Sequence, residues 1–431
     1  MKITYILAFL SLVAVFVYIF RNKNHRRSYL EYVLFLFPIV ALNVTRETYG
    51  ALTVFDIITY IVILLEYKDV FTIYKKNIIY LVLFVLFICL LVLGSIYSEF
   101  AASSILYTVS FIPIIFYVKL LVDECVSDPT FINKVLTGCK FSFFITLGFL
   151  VLQMIIGPQV TMYETLNYNV LNDSGGIRYP GMFPDSQNHS LFLGMSSILL
   201  LLNPKNPNKP TILNILLSAV AAIAILFAGG RSGFFGFCAG MFFVILFMRF
   251  NFKLYAGIVL VVAVICLSFF SKSITLFNRM DDLNESYVFR HRIWGQAYDI
   301  FEKHPLLGIG IGNYGDYVKI YSQDQYLRQA EENILWLNQP ENGYLKLLVE
   351  YGIFSFIISM LFIIIPVFQG LYVHFFKRKL YEIFYFIGPL IAWSLGFSTV
   401  FSFGDKRILI LVATLIALIV SKTNSKKSCQ N

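Results

Sequence analysis

Thirteen apolar runs divide this sequence, most of them about 16 to 25 residues long. They fall at about 3–20, 29–45, 51–66, 78–97, 101–122, 138–157, 189–203, 211–228, 232–249, 254–270, 342–366, 381–402 and 406–421. A run of this length can cross a hydrocarbon core of about 30 Å only as a helix, because lipid offers no partner to backbone N–H and C=O groups. The chain is therefore expected to be all-α: a polytopic membrane bundle of about 12–13 spans, without a soluble domain. Composition agrees, with 58% hydrophobic and only 14% charged residues, against about a quarter charged in soluble domains.

The loops set the expected orientation. With the N-terminus outside, 20 of the 34 lysines and arginines lie in inner segments, with at least two in each. Basic residues in short loops favour the cytoplasmic side, so the C-terminus is expected inside. The net charge of +9 is thus spent on orientation, and no basic-aromatic patch suggests nucleic acid. A basic cluster follows the run at 3–20 and no A-x-A-like site is present, so a retained first helix is expected there rather than a signal peptide. The cysteines at 89, 125, 139, 238, 266 and 429 form no CxxC, and four sit in apolar runs. They read as packing residues rather than a disulfide or zinc framework.

Two outer segments stand out, at about 158–188 and 271–341. They suggest three parts: 1–270 with the first spans, 271–341 as a long extracytoplasmic loop, and 342–431 with the last spans and a cytoplasmic tail. A loop of that length in a compact bundle is usually functional. It holds seven basic and ten acidic residues, so it attracts no polyanion in general and any arginine in it acts individually. Its centre begins as an amphipathic helix, with Phe289, Ile293, Ala297, Ile300 and Phe301 on one face and Arg292, Gln296, Asp299 and Lys303 on the other. His304 and Pro305 end it, and the glycines at 308, 310 and 312 follow with Asn313. That spacing is not a dinucleotide fingerprint. It fits either a tight packing turn or a substrate-facing loop, with Gly310 and Asn313 as candidates.

Ionisable residues at the membrane edge carry the chemistry. Arg231 follows Gly229 and Gly230 at the outer junction of two runs, where an arginine is costly unless it faces a cavity or partner, or snorkels. Arg178 lies in the irregular entry to the next run, near Asn188 and His189 at a helix N-terminus that favours anions. His189 reads first as a satisfied interfacial histidine. Pro340, Glu341 and Asn342 open the run after the long loop, where a carboxylate suits the helix dipole. Lys346 and Glu350 are i,i+4 and can pair. Arginines hold phosphate oxygens through a planar fork, and a carboxylate can take a proton from an attacking hydroxyl. No DxD-type motif or His/Asp cluster has ligand spacing, so neither metal nor cofactor is expected.

Four segments in order resemble the bacterial O-antigen ligase and polymerase family: RYPGMFPDSQNHS, GGRSGFFGF, RHRIWGQAYDIFEKHPLLGIGIGNY and ENGYLKLLVEYGIF. The resemblance covers about 175–360. It implies a membrane glycosyltransferase that moves a glycan from an undecaprenyl-diphosphate carrier to an acceptor hydroxyl at the outer face of the cytoplasmic membrane. Arg178, Arg231 and Arg290 stand where the family's diphosphate-binding arginines stand, and Arg292 is a neighbour able to substitute. Ligases of the family carry a histidine, their proposed base, where this chain has Glu341. That departure favours a polymerase of O-antigen, capsule or exopolysaccharide units, with Glu341 as base and Asn342 positioning it. The implied partners are lipid-linked donor and acceptor, membrane lipids and a chain-length regulator protein. Ligation to lipid A core or protein, a lipid-linked sugar flippase and a catalytically inactive relative are the alternatives. Edge charges and one dominant loop weigh against a transporter, whose repeats and midplane charges are absent from the pattern.

Overall fold

The computed structural model describes residues 3–44, 52–70, 78–162, 177–248, 283–321, 328–330, 333–335 and 339–424, with residues 253, 257 and 261. The apolar run at 254–270 apart from residues 257 and 261, the side chain of Phe289, and Cys266 and Cys429 lie outside the described residues. Each of the twelve other runs is a helix: α1 (Ile3–Arg21), α2 (His25–Val40), α3 (Val54–Leu65), α4 (Ile78–Ile96), α5 (Ala101–Ser127), α6 (Phe131–Ile156), α7 (Ser186–Leu200), α8 (Ile212–Ala228), α9 (Arg231–Phe247), then α12 (Gly343–Tyr372), α13 (Glu382–Phe397) and α14 (Lys406–Asn424). The long loop adds α10 (Leu283–Lys303), α11 (Tyr314–Tyr321) and a hairpin of β1 (Arg328–Ala330) and β2 (Asn333–Leu335). Among the described residues, five helices are long and apolar enough to cross a membrane, and five more are shorter apolar helices. The chain is a polytopic membrane helical bundle.

Helix α7 packs on α8, α9 and α13, while α14 packs on α5, α12 and α13. These inner helices are buried on nearly every side, so their few polar residues lie inside the bundle. All of α7 except Gln187 is buried, and so is most of α14. Small residues bring the axes together, as is usual where lipid removes the hydrophobic drive for association. A Cβ on Gly236 or Gly240 would lie 2.4 Å from the carbonyl of Ala392 or Gly388 on α13. At the opposite end from α12's start, Arg26 and Arg27 pair with Glu124 and Asp128 at 2.8 and 3.0 Å, fastening α2 to α5.

Helix α10 buries Ile293, Ala297 and Ile300, as the periodicity predicts, and packs on α12. Gln296 differs from that reading. It lies on the expected polar face yet is only 1% exposed. The loop behind α10 explains the glycines. Inside α12, Gly352 breaks the helix at φ 69°, ψ 172°, a region in which only glycine rests without strain. The break frees backbone groups, and the 305–310 segment takes them. Ile309 N–H donates to Val349 at 3.0 Å, Gly310 N–H to Glu350 at 3.1 Å, and Ile353 N–H to the Pro305 carbonyl at 2.9 Å. Gly308, also at positive φ, stands against the same break. The loop is a packing turn, and Ile311 and Gly312 at its end line a cavity.

Gly352→Ala would force an L side chain into this conformation, 2.2 Å from the Leu306 carbonyl oxygen. The variant is expected to lose about 3 kcal/mol or more of stability and to expose 304–313 to protease. Unchanged melting and cleavage in detergent would refute the docking.

Candidate functional site

A cavity of about 540 Å³ opens among the starts of α3, α7, α12 and α14. Its wall combines Asn43 and Thr53 from the α2–α3 turn, Asp185 and Asn188 from α7, Lys346 and Glu350 from α12, and Asp405 and Lys406 from α14. Chain segments far apart in sequence thus place these eight polar side chains around one space.

Each charge there has a local structural reason. Asp185 is the N-cap of α7 and accepts from the Asn188 N–H at 2.7 Å and from the Asn188 side chain at 2.6 Å. Lys406 reaches the fully buried Asp56 at 2.9 Å, and Asp56 closes the capping box of α3 with Thr53. Arg407 pairs with Asp405 at 3.3 Å and lies 4.9 Å over the Phe183 ring. Lys346 stands 3.9 Å from Glu350 and 4.2 Å over the Phe401 ring. The pairing of Lys346 with Glu350 was legible from spacing, but Glu350 does more. It is 1% exposed and accepts from the Tyr314 N–H at 3.2 Å, so it caps α11 and ties the long loop to α12.

Beside the cavity, two residues past the Gln339 wall, Glu341 faces Arg290. The guanidinium Nε lies 3.2 Å from a carboxylate oxygen, and both side chains stay about a third exposed. Glu341 is the only non-glycine residue at positive φ among the described residues, at 46°. Two contacts fix it there: Trp294 Nε1 donates to the Pro340 carbonyl at 3.0 Å, and Asn342 caps α12 by accepting from the Leu345 N–H at 3.2 Å. Backbone strain at an exposed, ion-paired carboxylate is the kind of cost that clusters at functional positions.

The other sequence candidates divide. Arg178 is 1% exposed, and its Nε and Nη2 have no hydrogen-bond partner among the described residues. A buried guanidinium with open donors is a ready anion ligand. His189 is fully buried, stacked 5.3 Å from Phe183, with Nδ1 on the Tyr179 carbonyl at 2.9 Å. Arg231 begins α9, half-buried, where Gly230 packs on Gln187 and Ser190 of α7. Arg292 is exposed on α10. Gly310 and Asn313 are buried in the docked loop, where the Asn313 amide donates to the Ser98 hydroxyl at 3.0 Å. Asp185, Asp405 and Lys406 were missed by the sequence reading, although the signal existed. The FGDKR segment sets three charges at the mouth of a span, the same feature that singled out Arg231, and Asp56 inside a run demands a cation.

Residues 216–360 match the family model for O-antigen ligase. That match supports placing the chain in the O-antigen ligase and polymerase family. The matched stretch contains Arg231, Arg290, Glu341, Lys346 and Glu350, whereas Arg178 and the Asp405 segment lie outside it. No curated protein matches the chain.

Enclosure of Asp185 by protein pushes its carboxyl up to about 6, against ordinary values near 3.8, with the nearby Asp405 adding to the effect. A raised acid favours the folded state while protonated, and that contribution is lost as pH rises through about 6. Asp185→Asn keeps a good cap without the charge. It is expected to melt above wild type at pH above about 6 and to match it below about pH 4. Parallel melting curves across that range would overturn the assignment.

Proposed function

We propose that this member of the O-antigen ligase and polymerase family is a polysaccharide polymerase. It joins undecaprenyl-diphosphate-linked repeat units of an O-antigen, capsule or exopolysaccharide at the outer face of the cytoplasmic membrane. The observation that carries the reading is the Arg290–Glu341 pair, 3.2 Å apart beside a polar cavity at one end of the bundle.

The chemistry follows from the pair. The donor diphosphate carries more negative charge than a carboxylate and offers oxygens to the guanidinium fork. On its arrival Arg290 turns to the diphosphate, with Arg178 and Arg231 as further cations. Glu341 is thereby released to accept the proton of the acceptor hydroxyl. The acceptor oxygen bonds to the anomeric carbon as the carbon–oxygen bond to the diphosphate breaks. Undecaprenyl diphosphate leaves with the electron pair, and fixed cations stabilise the charge that develops on it. Asn342 holds the helix start that presents Glu341. Metal-free transfer is part of this proposal, with arginine in the place that a divalent cation takes in other transferases.

The description of the matched family favours a second reading, ligation of a finished glycan to lipid A core or protein. Glu341 in place of the ligase histidine argues for the polymerase. Surface polysaccharide from a deletion strain separates the two. A polymerase predicts single repeat units that wild type restores to a ladder. A ligase predicts long polymer left on its carrier. Glu341→Gln and Arg290→Ala, inserted at wild-type levels, are each expected to cut transfer by about 100-fold or more. A full ladder from Glu341→Gln would remove the base from the mechanism.

A further inference from the structure

The ion pairs of the polar cavity leave one charge over. Lys346 stands with Glu350, Lys406 with Asp56, and Arg407 with Asp405. Asp185 lines the same wall. It accepts from the backbone and side-chain N–H groups of Asn188 and has no ion pair among the described residues. Arg178, Arg231 and Arg290 do not line the cavity. The space is therefore bounded by more negative than positive charge, and a carboxylate or phosphate inside it would meet repulsion.

Hydrogen-bonding capacity points the same way. Three donors of the wall are engaged within the protein: Thr53 Oγ1 donates to Asp56 at 2.8 Å, Asn188 Nδ2 to Asp185 at 2.6 Å, and Lys406 Nζ to the Ser110 carbonyl. Acceptors remain open. The Asp185 carboxylate, with about four lone-pair sites, has capacity left after its bonds from Asn188. Asn188 is 4% exposed, and its Oδ1 has no partner among the described residues. A ligand that fits brings hydrogen-bond donors and no negative charge. Sugar hydroxyls do so, whereas a carboxylate or phosphate brings only further acceptors. Tyr107, Phe111 and Phe403 add rings to the wall, against which the C–H face of a sugar packs. The volume of about 540 Å³ falls within the range of about 300–1,000 Å³ usual for small-ligand sites.

We propose that the cavity is a subsite for one uncharged sugar ring and excludes uronic acids and phosphorylated sugars, with Asp185 as the residue that makes the distinction. That the ligand is a sugar rests on the polymerase reading, while the preference for an uncharged ring rests on the wall. Gln339 of this wall lies two residues from Glu341, so the ring held here is the one that presents its hydroxyl to the base. The linkage between repeat units is then made at a neutral ring, whatever acidic sugars the rest of the unit carries.

The test uses the full chain in nanodiscs of zwitterionic lipid, so that the bilayer itself repels no anion. The probes are matched methyl glycosides: glucoside with glucuronide, galactoside with galacturonide, and mannoside with mannuronide. Saturation-transfer NMR at about pH 8, where Asp185 is ionised, reads binding without turnover. In each pair that binds, the neutral glycoside is expected to bind at least about 10-fold more tightly than its acidic partner. An acidic member that binds as well as its neutral partner in any pair, or a panel with no binding at all, would overturn the proposal. Asp185→Asn keeps a cap on α7 and removes the unpaired charge. In the folded variant the ratio is expected to fall toward one, and an unchanged ratio would also overturn the role of Asp185. Selective binding of neutral rings by a protein whose deletion leaves the polysaccharide ladder unaltered would keep the subsite and reject the polymerase.

Discussion

The hydrogen bonds across the break at Gly352 hold the long loop and the membrane bundle together. A helix interrupted inside a span leaves backbone donors and acceptors that lipid cannot satisfy. Here the interruption is filled by another segment of the same chain, which donates to Val349 and Glu350 and accepts from Ile353. The Glu350 carboxylate adds a bond to the start of α11. The surface helix α10, which precedes the same loop, is thereby set on α12, and Trp294 on α10 reaches the Pro340 carbonyl. Arg290 and Glu341 face each other because of that chain of contacts. Their short separation is a property of the loop's docking as much as of the two residues.

The second constraint is electrostatic. Charges near the hydrocarbon are costly, and four ion pairs in and beside the cavity offset that cost: Lys346 with Glu350, Lys406 with Asp56, Arg407 with Asp405, and Arg290 with Glu341. Such pairs hold a polar cavity in a membrane protein without a ligand, and they also define what a ligand does on arrival. Under the proposed function, an anion exchanges with a carboxylate already bound to a cation, so binding and release of a base are one event. Arg178 is different. Its buried donors have no partner among the described residues, which makes it the cation with most to gain from a diphosphate.

The spans were legible because a period of apolar residues long enough to cross a bilayer has one structural solution. The start of α12 was legible for a related reason, since Pro340, Glu341 and Asn342 mark a helix opening and Asn342 is its N-cap. Arg290 and Glu341 were each visible as polar residues in the long loop, but 51 positions separate them and no local pattern states their pairing. Gln296 was misplaced for the same reason: periodicity gives two faces of a helix and cannot tell which neighbour covers the edge between them. Asp405 and Lys406 escaped the sequence reading, although the mouth of α14 carries the same edge-charge signal as the mouth of α9.

The break at Gly352 also gives the site a means to respond to its substrate. A donor that draws Arg290 away from Glu341 pulls on α10, which is held to α12 through Trp294 at one end and through the glycine loop at the other. Ile311 and Gly312 of that loop line the cavity, so displacement of the surface helix changes the walls around the head group. A continuous transmembrane helix would resist such a shift along its length. A helix divided at a glycine, with its freed groups bonded to the docked loop, can adjust its turns from Gly343 to Tyr351 while the rest of α12 stays packed. Under the proposed function, the residues that hold the diphosphate and the residue that takes the proton are joined through this one docked unit.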